Sequence, residues 1–281
     1  MSGEAVASLG VPVYSSVAAM LDRGQLDGVL IVAPTTQHGV IIGEVAERGV
    51  PILCEKPCGL TAASARASAS SAAAAGVPLQ VAYWRRFVPG LRELRGRIAA
   101  GSLGAIHLVT CYQWDEAPPT ADFRAHSGGI AVDMGVHEFD QLRWLTGQDI
   151  TDVKAVAAEL ISDPEVTGDV DSVQIILALS GGATGFVSLG RHHPAGDMAR
   201  AEVFGTGGTI RCDFLDPADG ERAQLEALRR QAEGFAAVAG GGAGSEYSGA
   251  TADDAVAALR AAEAVSAAIP ALGGVGARTP A

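Results

Sequence analysis

Short apolar runs alternate with helically spaced segments over the first third of the chain. Residues 28–33 (GVLIVA), 50–54 (VPILC) and 78–84 (PLQVAYW) are continuous apolar stretches of strand length, and residues 36–48 and the Ala/Ser-rich 61–75 read as the helices between them. Strands that are apolar throughout and separated by helices predict a parallel sheet covered on both faces. A further helix is expected near 89–100.

The pattern then changes. From residue 104 to 214 strands follow one another closely: IHLVTCYQW, DVKAVAAELI, DSVQIILALS, ATGFVSLG, ARAEVFG and GTIRCDF. Several alternate polar and apolar positions, and GG or TGG turns join them, which predicts an antiparallel sheet with one face open to solvent or to a partner. One long helix, residues 129–146, interrupts this region. Helices at 222–239 and 252–268 close the chain, separated by the Gly-rich stretch AGGGAGSEYSG (239–249), whose composition is that of a flexible loop. The division is thus residues 1–86 and 87–281, with helix 252–268 a candidate to return to the first domain.

Length and composition fit this division. A chain of 281 residues has a soft prior of two domains, and 48% hydrophobic with only 5% aromatic residues predicts a core of Ala, Val, Leu and Ile. The net charge of −12 and the lack of basic runs argue against nucleic acid or an anionic membrane surface as partner. No apolar stretch approaches the ~18 residues of a membrane span, and Glu4 stands where a secretory signal carries basic residues, so a cytoplasmic location is expected. Cys54, Cys58, Cys111 and Cys212 are too few for a disulfide scaffold and read as reduced, buried thiols.

Candidate chemistry gathers at strand ends and on one helix. In GIAVDMGVHEFDQLRWLTG, Asp133 and His137 are four residues apart, so an α-helix places them on one face with Asp140 beyond. A carboxylate beside an imidazole that titrates near neutral pH is a plausible acid/base pair, although a satisfied histidine beside a helix-terminal charge explains the spacing as well. Lys56, in CEKPCG, follows the strand VPILC at the end where open α/β sheets bind ligands, and Pro57 keeps it extended. Only Lys56 and Lys154 are lysines, which adds interest to the one at a strand tip. In APTTQH, Pro34 ends a strand, and Thr35 and Thr36 lie at a helix N-terminus able to receive a phosphate or ribose, or serve as ordinary caps. YWRRF places Trp84 beside Arg85 and Arg86, suited to stacking and anion contact or to a domain junction.

The succession GVLIVAPTTQH, VPILCEKP, YWRRFVP, SGGIAVDMGVHEFDQLRWLTG and ARAEVFGTGG resembles the Gfo/Idh/MocA family of NAD(P)-dependent sugar and polyol oxidoreductases, and its wording is most similar to inositol 2-dehydrogenases. The joint order of EKP, RRF and the D-x3-H helix carries the resemblance, over most of the chain. It implies a Rossmann-like parallel domain followed by a mostly antiparallel open-sheet domain with helices on one face. It further implies Lys56, Asp133 and His137 as the catalytic constellation and a cis Lys56-Pro57 peptide. NAD or NADP contacts would come from Pro34, Thr35, Thr36, His38, Glu55, Lys56, Trp84 and Arg85. A polyol or sugar would be held by Lys56, Asp133 and His137 with Trp114, Asp115 and Arg124, which occupy strand-end or irregular segments, and a homo-dimer or homo-tetramer would form through the open sheet face.

One departure stands against the match. The family begins with a strand, a G-x-G-x-x-G turn, a helix and a second strand ending in an acidic ribose ligand, and no such segment occurs here. By the ~20-residue spacing of that motif, about 35 residues are wanting, which leaves GVLIVA with an apolar edge. GTGGTI at 205–210 lies between two strands and opens no helix. Two alternatives follow: a sugar-binding or assembly protein without catalysis, and a metal-dependent isomerase or dehydratase with Asp133, His137 and His192 or His193 as ligands.

Overall fold

The structure, a computed structural model, describes residues 10–159, 169–215, 220–241 and 249–269. It opens with helix α1 (Val17–Arg23), started by Ser16, whose hydroxyl accepts the Ala19 amide hydrogen. The short apolar runs then become parallel strands β1 (Val29–Ile31), β2 (Ile52–Cys54) and β3 (Leu79–Val81), paired in chain order and connected by α2 (Thr35–Ala46) and α3 (Ala62–Ala74). Thr61 and Ser64 cap α3 reciprocally. Among the described residues β1 pairs on one side only, and Leu30 is 56% and Val32 69% exposed while Val29 and Ile31 are buried. The run read as covered on both faces is therefore covered on one, and β1 stands at a sheet edge among the described residues.

After β3 the chain makes a 3-10 turn, Trp84–Phe87, and enters α4 (Pro89–Ala99), with proline in its first turn where an amide hydrogen is not needed. Strand β4 (Ile106–Trp114) starts the second sheet, followed by a short helix α5 (Ala121–His126) that periodicity did not reveal. Residues 129–146, read as one helix, are instead a π-turn (Ala131–Gly135) running into α6 (Val136–Thr146). Gly147, at φ +67°, ends α6 in the left-handed conformation that glycine adopts without steric penalty.

The second sheet is completed by β5 (Ile150–Ala158), β6 (Ser172–Leu179), β7 (Thr184–Gly190), β8 (Met198–Gly205) and β9 (Gly208–Leu215), in the order β5-β6-β7-β4-β8-β9. All neighbours are antiparallel except β4 and β7. The sequence pattern extends β5 to residue 161; positions 160 and 161 lie outside the described residues. Period-two alternation sends Val109, Cys111, Val173, Ile175, Val187 and Leu189 into the core and leaves Tyr112, Phe186, Ile176 and Val156 on the other face, the last two 58% and 71% exposed.

Helix α7 (Gly220–Ala239) packs Phe235 on Leu53 and Ala82 of the first sheet. Of the Gly-rich stretch 239–249, positions 242–248 lie outside the described residues. A two-residue strand β10 (Ala250–Thr251), too short to show a period, pairs antiparallel with β3 and leads into α8 (Ala252–Ala268). From α8, Glu263 accepts the Ala62 amide hydrogen of α3 at 2.8 Å, and Asp254 reaches both Arg86 and Arg143. This helix therefore ties the first sheet's layer to α6. No helix among the described residues is long and apolar enough to cross a membrane.

Candidate active site

The carboxyl end of β2 supplies the central cation. The Glu55 amide continues the pairing with Ile31 O (2.9 Å), and the next residue, Lys56, precedes a cis bond to Pro57. The half-buried Lys56 ammonium donates to the main-chain oxygen of Asp133 at 2.8 Å and lies 3.6 Å from Asp133 Oδ1. A strand tip of the parallel sheet is thus joined to the π-turn that precedes α6.

Asp133 lies within that π-turn, and His137 in the first turn of the α-helix that follows it. No hydrogen bond joins Asp133 to His137. Asp133 Oδ2 instead accepts from Arg191 Nη1 at 3.1 Å. Asp140 does not extend their face either; it is buried against Arg86. The carboxylate read as a partner of the imidazole is thus hydrogen-bonded to a guanidinium.

His137 is buried with its ring edge-on to Tyr83 (5.8 Å between centroids) and Trp84 (6.5 Å), and its Nδ1 has no hydrogen-bond partner. Burial, and then the positive charges of Lys56 and Arg85, hold its pKa well below the ordinary 6.5. The imidazole is therefore neutral over the physiological range, rather than titrating near neutrality as the sequence alone implied.

A buried relay flanks the histidine. Arg85 pairs with Glu138, the residue after His137, and donates from Nη2 to Gln113 Oε1 at 2.6 Å; Gln113 Nε2 then donates to Asp115 Oδ1 at 3.2 Å. Burial raises the Asp115 pKa, with Gln113 opposing and the charges of Asp197 and Asp133 adding to the rise. Asp115 thus shares the field of Asp133. Sequence reasoning missed Gln113 and Arg191; the strand periodicity that puts Cys111 on the helix-covered face also puts Gln113 there, which was the available signal.

Other expected contacts lie elsewhere. Trp114 sits on the open face, its Nε1 donating to Ser188 Oγ at 3.0 Å and its ring lying over Gly190, where a Cβ would come within 2.1 Å of ring carbon Cε3. Strand alternation turns it away from Lys56. Arg124 is buried on Asp169 (2.8 Å) and Asp171 (3.6 Å) rather than presented to an open site. Arg85 is occupied by Glu138 and Gln113 and stacks toward Trp84 and Phe214, so it is paired internally rather than left open to a cofactor. Trp84 is likewise buried, edge-on to Phe214.

At the β1 tip, exposed Pro34 starts α2 with no side-chain cap, leaving Thr35 and exposed Thr36 in its first turn. His38 is buried between Ala33 O (2.7 Å) and Pro57 O (3.0 Å), tying the β1 tip to the Lys56 turn rather than facing outward. Glu55 is half-buried; burial raises its pKa against the opposing charges of Lys56 and His38.

Comparison with known proteins matches residues 2–83 to the oxidoreductase family with an NAD-binding Rossmann fold and residues 91–211 to the GFO/IDH/MocA C-terminal domain. The rhizopine catabolism protein MocA of Rhizobium meliloti is 50% identical over 261 residues, 93% of this chain and 81% of that protein. The chain belongs to the Gfo/Idh/MocA family. The scyllo-inositol 2-dehydrogenase (NAD(+)) of Bacillus subtilis is 37% identical over 193 residues, 68% of this chain and 56% of its own length. In structure, the scyllo-inositol dehydrogenase of Lactobacillus casei with bound NAD(H) and scyllo-inositol aligns with a TM-score of 0.81 at 25% identity, covering 94% of this chain and 84% of that one.

For a Gfo/Idh/MocA protein, the residues present fit the nicotinamide end of NAD. The first-turn amides of α2 are capped by no side chain, and the unpartnered His137 Nδ1 is buried close to Lys56. The described residues offer no glycine turn for the pyrophosphate: GTGGTI forms the β8–β9 hairpin, with Gly205 opposite Gly208. The metal alternative finds no cluster, since no group of three or more His, Cys, Asp or Glu among the described residues is placed to hold an ion. His193 Nδ1 is engaged with Gly196 O at 2.5 Å.

Proposed function

We propose that this chain is an NAD-dependent dehydrogenase of a cyclic polyol of the inositol class, with Lys56, Asp133 and His137 as its catalytic groups. The observation that carries the reading is the 2.8 Å contact of Lys56 with the Asp133 main chain, which sets a cation from the parallel sheet beside a carboxylate and a neutral imidazole from the second domain. His137, unprotonated at neutral pH, is suited to take the proton of a ring hydroxyl. Lys56 stabilises negative charge developing on that oxygen, and Asp133 orients a neighbouring hydroxyl. Asp115, held by Gln113, offers a second acceptor for the ring. Bound at the strand tips by Pro34, Thr35, Thr36 and Glu55, NAD supplies the hydride acceptor. His38 positions the Lys56 turn.

Assembly into a homo-dimer or homo-tetramer through the open face of the second sheet belongs to the same proposal. Support comes from Val156, Ile176, Tyr112 and Phe186, which leave an apolar surface there with Arg200 stacked on Tyr112 at 4.2 Å. The decisive experiment incubates the purified chain with NAD+ and myo- or scyllo-inositol and follows NADH formation. NADH formed with wild type and lost in Lys56→Met supports the dehydrogenase; polyol binding with no NADH under saturating NAD+ favours the non-catalytic binding protein.

A further inference from the structure

Among the described residues Arg191 is the largest side chain buried without any exposure, and nothing in the sequence pattern singled it out. It follows β7 and turns to the helix-covered side, where its Nη1 donates to Asp133 Oδ2 at 3.1 Å. Its Nε lies 3.0 Å from Asp169 Oδ2, an ion pair without hydrogen-bond alignment, and its Nη2 is buried with no partner. Asp169 is itself anchored: Oδ2 accepts from Arg124 Nε at 2.8 Å, and Oδ1 accepts the Ile130 amide hydrogen at 2.8 Å. Ile130 immediately precedes the π-turn. One carboxylate therefore holds both the start of the π-turn and the guanidinium that grips Asp133 within it.

A buried guanidinium is always charged and its fork suits two carboxylates at once. The groups facing Asp133 are Lys56 from the β2 tip, Arg191 from the end of β7 and Asp115 from the end of β4. Lys56 meets the Asp133 carboxylate only at 3.6 Å, too long to fix its rotamer alone. We infer that Arg191 is a positioning residue, which aims the Asp133 carboxylate at Lys56 and keeps the pair coupled. The inference deepens the proposed dehydrogenase reading, since it gives Asp133 its orientation toward the substrate side.

The test exploits the lysine count: Lys56 and Lys154 are the only two, so reductive methylation with 13C-formaldehyde gives two lysine NMR signals besides that of the N-terminal amine, with exposed Lys154 as internal control. Replacing Asp133 by Asn should move the Lys56 methyl resonance away from its wild-type position while that of Lys154 stays put, because a carboxylate 3.6 Å from the ammonium is lost. In the Arg191→Met background the same Asp133→Asn change should shift Lys56 by less than about a third of that, since the carboxylate no longer faces it. An equal shift in both backgrounds overturns the inference. Should Arg191→Met not fold, Arg191→Gln is read the same way, with the same two outcomes. Calorimetry with myo-inositol on the unmethylated proteins separates the readings. Arg191-dependent coupling without polyol binding by wild type upholds the anchor and overturns the polyol reading; polyol binding with Arg191-independent coupling does the reverse.

Discussion

Arg86 grips Asp140 with two nitrogens, Nε 2.9 Å from Oδ2 and Nη2 2.5 Å from Oδ1, and its Nη2 also lies 3.1 Å from Asp254 at the start of α8. Three distant segments, the 3-10 turn, α6 and the C-terminal helix, converge on this one buried guanidinium.

Replacing Arg86 by Met leaves Asp140 buried without its cation. The expected loss is about 3–5 kcal/mol, the cost of breaking a buried pair from one side. Urea denaturation of variant against wild type reads it directly. A loss below about 1 kcal/mol would mean that the pair contributes no more than a surface bridge.

Lys56→Met is expected to remove at least about nine-tenths of kcat, a barrier increase above ~1.4 kcal/mol, while the circular dichroism spectrum stays that of wild type. The strand tip contributes little to the core, and the bond lost is the one to Asp133 O. Retained turnover would take Lys56 out of the mechanism.

His137 makes stability depend on pH with a definite sign. Its folded pKa lies well below the unfolded value of about 6.5, so under acid conditions the unfolded chain takes up the proton first. Its contribution is complete above about pH 6.5 and is lost as pH falls toward the folded pKa. Between about pH 7.5 and 5.5, wild type should lose ~1 kcal/mol more than His137→Gln. The comparison cancels buried Glu138 and Asp140, whose pKa values burial raises against the opposing charges of Arg85 and Arg86. For catalysis, the acid limb of kcat/KM should lie well below 6.5, and His137→Ala should lower kcat by about 10²-fold or more. Equal pH sensitivity in both proteins would contradict the burial argument.

Titration with NADH should give a dissociation constant weaker than about micromolar for the chain of this sequence, because the described residues offer no glycine turn that lets the backbone approach a pyrophosphate. A version carrying a strand–G-x-G-x-x-G–helix segment upstream should bind more tightly. Equal affinity for the two would show that the strand-tip residues suffice.

The sequence carried the layer plan because periodicity reports burial directly. GVLIVA, VPILC and PLQVAYW could be placed in a parallel sheet, and the alternating runs from residue 106 in an open-faced one, since each pattern has one way to bury its apolar side. Its motifs carried the family, and Lys56 and Asp133, named from EKP and D-x3-H, do meet in the structure. Spacing did not show the change of helix type at Ala131–Gly135, nor that Asp133 within it accepts a hydrogen bond from Arg191.

What the sequence determined by itself, then, is which residues lie on which element, because that depends on local torsions and on a hydrophobic period. Tertiary structure alone decided which charges meet. Arg85 with Glu138, Arg86 with Asp140 and Arg191 with Asp133 are separated by 53, 54 and 58 positions, and no local pattern relates their members. A buried charge must find an opposite one wherever packing delivers it. The same physics made Trp114 a residue of the open face and His137 a neutral imidazole, because strand parity and burial act on side chains only once the sheets have closed.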